Sequence, residues 1–132
     1  MKGRVEHRVP LPKQAIAILE GLKPYTGHVP FVFPSVRENI IQPLCENALN
    51  VALRRMGYAK DQMTSHGFRS SASTMLNESE LWNSDAIERQ LAHVEVNPVR
   101  RVYARNTHWK TRVEMMQWWA DYLDGLRGGQ SA

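Results

Sequence analysis

Apolar and polar residues change their spacing several times along the chain, and each change predicts a new element. Val5, His7 and Val9 alternate with Arg4, Glu6 and Arg8. That is the period of a short strand, which Pro10 ends because proline has no N–H to give a sheet ladder. From Pro12 the period lengthens. Ala15, Ile18, Leu19 and Leu22 fall at i, i+3, i+4 and i+7, which predicts a helix opened by Pro12 and closed by Gly21 and Pro24. Pro24, Gly27, Pro30 and Pro34 then surround Phe31 and Phe33, the composition of a loop with a short extended piece.

A second helix is expected over residues 44–56, with Leu44, Ala48, Val51 and Ala52 inward and Glu46, Asn47, Asn50 and Arg54 pointing away. Gly57 ends it. A third starts after Thr64 and Ser65, either of which serves as N-cap, and turns Phe68, Ala72, Met75 and Leu76 inward. Ser84 is expected to cap a short fourth helix carrying Ile87 and Leu91, and Asn97 with Pro98 to open a fifth. The last helix runs roughly from Trp109 to Leu126. Its apolar residues, Trp118, Trp119 and Tyr122 among them, cover an arc on the order of 220°. A single core-facing stripe needs only about 100°, so this helix is expected to find contact on two sides, from its own domain in a folded-back form or from a second chain. Residues 128–132 read as a disordered tail after a single domain over 1–127.

With 132 residues the chain can bury one core and not two. Seventeen Lys and Arg against 13 Asp and Glu leave a net charge of +4, which permits a nucleic-acid partner without identifying one. Cys45 is the only cysteine, so the chain can form no internal disulfide and fits a reducing, cytoplasmic compartment. No apolar run approaches the roughly 18 residues of a membrane span, and no membrane partner is expected. The five histidines, at 7, 28, 66, 93 and 108, form no short ligand pair, so no metal site is expected.

Candidate chemistry begins with Thr64-Ser65-His66-Gly67-Phe68-Arg69. His66 and Arg69 are three apart, on one face of the first helical turn. A helix start already favours an anion, and an imidazole with a guanidinium there makes a phosphate cradle. An ordinary surface pair would look the same. His93 ends the fourth helix, where a histidine commonly caps through the helix dipole. Tyr103 lies in the run Arg100-Arg101-Val102-Tyr103-Ala104-Arg105, and a tyrosine beside an apolar residue is usually half-buried with its hydroxyl in water. Each residue alone supports its blander reading.

In combination the order His66, Arg69, His93, Tyr103 resembles the tyrosine recombinases, the phage and prophage integrase family. HGFRSSASTMLNE is similar to that family's H-x-x-R helix, and IERQLAH to the segment supplying its second histidine. Asn97 to Arg105 resembles the segment bearing the nucleophilic tyrosine. The opening Met1 to Leu11 resembles the hairpin in which the catalytic lysine, here Lys2, precedes V-P-L, and MMQWWADYLDGL the C-terminal helix. The resemblance implies a mainly α fold with a small β element, the C-terminal portion of the DNA breaking-rejoining catalytic domain. It implies double-stranded DNA and other integrase protomers as partners, the latter through the C-terminal helix.

It also implies metal-free strand cleavage through a 3′-phosphotyrosine on Tyr103. Arg69 and His93 would hold the phosphate, Lys2 would protonate the leaving oxygen, and His66 would accept the tyrosine proton. The family's first catalytic arginine belongs upstream of the lysine hairpin, and no arginine of this sequence matches it. The chain therefore reads as a fragment of a longer integrase. A type IB topoisomerase shares the chemistry, and a non-catalytic DNA-binding module or inactive remnant is the alternative from another class.

Overall fold

The computed structural model describes residues 6–93, 99 and 107–129. They fall into two compact units, one made of Lys13–Ser70 and the other of Met1–Pro12 with Ser71–Ala132.

The first unit opens with α1 (Lys13–Thr26), which runs through both expected stops. Pro24 stands two residues from the helix end, so the lost N–H and the bend its ring imposes fall on the last turn alone. Of its expected stripe, Ala15, Leu19 and Leu22 are half-buried and Ile18 is exposed. A hairpin of β1 (Pro34–Arg37) and β2 (Ile40–Pro43) follows, antiparallel, with Val36 opposite Ile41 and Arg37 opposite Ile40. Glu38 and Asn39 both have positive φ, 52° and 65°, as a two-residue turn matching the strand twist demands. This small β element begins at Pro34, the last proline of the stretch in which an extended piece was expected, and runs beyond it. The N-terminal alternation, by contrast, yields no strand among residues 6–9.

Helix α2 (Ala48–Arg55) turns a different face inward from the one its apolar residues predict. Leu53 is its buried residue, and Val51 and Leu44 are exposed. Gly57, at φ +95°, ends the helix as expected. Helix α3 (Ser65–Glu78) begins in this unit.

The second unit holds the core. Leu76 near the end of α3, Ile87 of α4 (Ser84–Gln90) and Met115 of α5 (Trp109–Gly128) pack together, fully buried. Trp82, Leu91, Met116, Trp118 and Trp119 pack around them. Burying three such side chains contributes on the order of 1.5–3 kcal/mol each. Phe68, expected inward on α3, is 56% exposed. The cap of α4 is Asn83 rather than Ser84, its side chain accepting from the N–H groups of Asp85 (2.8 Å) and Ala86 (3.4 Å).

The aromatic side of α5 packs within its own unit. Trp82 meets Trp118 edge-on at 6.1 Å, and Tyr122 stacks against Trp118 at 5.4 Å and Trp119 at 5.7 Å. Helix α5 includes Gly128, so it extends past its expected end. The fifth helix expected from Asn97 lies largely outside the described residues, with Val99 alone described and helical. Among the described residues no helix is long and apolar enough to cross a membrane.

Candidate functional site

Helix α3 starts where expected, and Thr64 is the cap: its Oγ1 accepts from the Gly67 N–H at 3.1 Å. A second acceptor comes from α2, where Asn50 Oδ1 receives the Ser65 N–H at 2.9 Å. One turn along α2, Arg54 donates to the carbonyls of Tyr58 and Met63, the latter at 2.6 Å. Asn50 and Arg54, expected to face away, therefore fasten the loop that feeds α3. Their i, i+4 spacing is what lets one face of α2 reach both places. Two of the first N–H groups of α3 are committed to these internal acceptors. An anion at this helix start would consequently be held by side chains more than by bare backbone.

His66 and Arg69 share the first turns of α3, His66 exposed and Arg69 half-buried. Gly67 lies between them against Met63, and a Cβ on it would come within 2.8 Å of Met63 Sδ. The small residue keeps α3 close to the loop that Arg54 holds.

His93 follows α4 in the other unit. The Ala92 N–H donates to the Arg89 carbonyl (3.2 Å) and the His93 N–H to the Glu88 carbonyl (3.0 Å). Ala92 sits at φ 54°. This pair of bonds around a left-handed residue is a Schellman cap, so the backbone of His93 closes the helix. Its side chain does something else, with Nδ1 meeting the Glu88 carboxylate. That contact orients the ring and leaves Nε2 as the nitrogen able to face a phosphate. Lys2 and Tyr103 lie outside the described residues. An open hollow lined by Ser35, Arg37, Gln42 and Cys45 contains none of the candidates.

Sequence reasoning gave no place to Arg112. It is 2% exposed and donates from Nε to Gln90 Oε1 (2.9 Å), from Nη1 to the Thr107 carbonyl (3.2 Å) and from Nη2 to the Arg8 carbonyl (2.5 Å). Its Cζ stands 5.7 Å from the centre of the Trp109 ring. Burial, and secondarily the nearby charge of Arg89, lowers its pKa below the ordinary arginine value. An arginine at i−3 from Met115 is the available signal, since a charge on the core stripe of a helix is where a buried clasp would sit.

Comparison with known proteins draws these features together. The phage integrase family model matches residues 1–109. The integrase of Enterobacteria phage P4 is 48% identical over 126 residues, covering 94% of this chain and 28% of that protein. Prophage integrase IntA of Escherichia coli K12 is 46% identical, with 98% and 30% covered, and the integrase of Shigella phage Sf6 45% identical, with 94% and 32% covered. The chain thus spans less than a third of the length of each of these relatives. No solved structure matches it significantly. With a family model over most of its length and an H-x-x-R pair at the start of a doubly anchored helix, the chain belongs to the phage integrase family.

Proposed function

We propose that these residues form the C-terminal part of the catalytic domain of a site-specific tyrosine recombinase, working in the cytoplasm on double-stranded DNA. The carrying observation is the fastening of the H-x-x-R turn. Thr64, Asn50 and Arg54 fix the start of α3, and with it the helix that bears His66 and Arg69.

In the proposed reaction the Tyr103 hydroxyl oxygen attacks a DNA phosphorus in line. The bond to the 5′-oxygen breaks, a 3′-phosphotyrosine forms, His66 takes the tyrosine proton, and Lys2 gives a proton to the leaving oxygen. A 5′-hydroxyl of the partner strand then reverses the step. Phosphodiester energy is kept in the covalent intermediate, so ligation needs no nucleotide. Negative charge on the non-bridging oxygens is met by Arg69, by His93 through Nε2, and by an arginine supplied from upstream. A tyrosine ordinarily titrates near 10, so removal of its proton at neutral pH requires a nearby acceptor.

The test is Tyr103→Phe in an integrase containing these residues, assayed on a nicked duplex that traps the covalent adduct. Loss of the adduct with DNA affinity retained is expected. An adduct of equal yield in Tyr103→Phe removes Tyr103 from the nucleophile role.

A further inference from the structure

Arg112 is a buried cation whose three described acceptors are neutral oxygens. Burial of a charge costs several kcal/mol, and a well-packed apolar side chain in such a place is often no less stable. Packing alone therefore gives little reason for a guanidinium here. What only a guanidinium offers is a planar fork of five donors able to clasp several acceptors in fixed relative positions.

The acceptors come from three separate stretches of chain. Arg8 is six residues after Lys2, Gln90 three residues before His93, and Thr107 four residues after Tyr103. Extended chain reaches at most about 3.6 Å per residue, so holding Thr107, Arg8 and Gln90 anchors each segment only four, six or three residues from the group it carries. Short tethers of this kind reduce the volume each reactive group explores before the reaction geometry forms.

We propose that Arg112 is a positioning residue, clasping at one point the three chain segments that carry Lys2, His93 and Tyr103. It touches neither DNA nor the reacting atoms, and it acts through Arg8, Gln90 and Thr107. The inference rests on the recombinase reading above.

The experiment compares wild type, Arg112→Lys, Arg112→Met, Gln90→Leu and the Arg112→Lys/Gln90→Leu double variant in an integrase containing these residues. Single-turnover cleavage of the nicked duplex, DNA affinity by fluorescence anisotropy and thermal unfolding are measured side by side, with cleavage read well below each midpoint. Lysine keeps the charge but cannot fork, so Arg112→Lys should cut the cleavage rate on the order of a hundredfold, as a misplacement of about 1 Å does. DNA affinity should change less than about threefold, because the phosphate contacts that set it are made elsewhere. Gln90→Leu, which leaves Arg112 in place, should lose less, and the double variant should be no slower than Arg112→Lys.

A cleavage rate that follows only the folded fraction, or falls together with affinity, makes Arg112 merely structural and overturns the inference. So does an unchanged rate in Arg112→Lys and Gln90→Leu. Should Arg112→Met fail to fold, those two variants still decide. Absence of a Tyr103-dependent adduct in wild type instead overturns the recombinase reading itself.

Discussion

Asn50 accepts the backbone N–H of Ser65 at 2.9 Å, so a side chain of α2 helps to cap α3 immediately before His66. Removing that acceptor as Asn50→Ala leaves a half-buried donor unmatched, and loss of a helix cap costs about 0.5–2 kcal/mol. The 132-residue chain should unfold at lower temperature by calorimetry. An integrase carrying the change should cleave more slowly than its lowered folded fraction explains. An unchanged midpoint would show that the bond contributes nothing.

Helix α4 closes on Ala92 in the left-handed region, at φ 54°. An alanine there costs roughly 1–2 kcal/mol that glycine avoids. Ala92→Gly should therefore stabilise the chain by about 0.5–1 kcal/mol after the extra entropy of the unfolded glycine is counted. Urea unfolding checks this, and a lower midpoint would contradict the cap.

That cap shows why part of the site was legible and part was not. The apolar periods located α3, α4 and α5 because Leu76, Ile87 and Met115 occupy one core, and Thr64 is a recognisable N-cap. The end of α4 carries no glycine, so its Schellman cap left no mark in the sequence. The hairpin was missed because Glu38 and Asn39 take the turn without glycine and its strands barely alternate. On α2 the apolar residues pointed to the wrong face. Asn50 and Arg54 turn inward because the loop ahead of α3 offers them backbone partners fifteen and nine residues away. Pairings at that range have no local period. Arg112 stands on the core stripe of its helix, but its acceptor at Arg8, 104 residues distant, has no such local mark.

Leu76→Ala tests the core that carries the end of α3. Leu76 is fully buried against Ile87 and Met115, and truncation of such a leucine costs about 2–5 kcal/mol. In a small domain that is a large part of the total stability. Loss of a cooperative thermal transition, or a drop of well over 10 °C, is expected. A shift of only a degree or two would mean that Leu76 is not a core residue.

Helix α5 leads to the last prediction. Arg112, Met115 and Trp119 lie along one stripe at i, i+3 and i+7, facing the interior of their unit. Leu123 and Leu126 continue that stripe beyond Ala120, where the core has ended, and both are exposed, at 45% and 51%. Exposed leucines contribute little to folding, and surface changes of this kind are usually within about 0.5 kcal/mol. A stripe that continues past its own core is instead suited to packing against another copy, the kind of partner that the family resemblance implies for the C-terminal helix. Leu123→Ser with Leu126→Ser should therefore leave the melting temperature of the 132-residue chain nearly unchanged. In an integrase carrying the pair, cleavage of a single site should persist, whereas pairing of two sites and strand exchange should fall by tenfold or more, the equivalent of about 1.4 kcal/mol. Gel-shift titration of one-site and two-site DNA separates the two effects. A large loss of thermal stability would place these leucines in the fold of their own chain, and undiminished strand exchange would remove them from the contact between protomers.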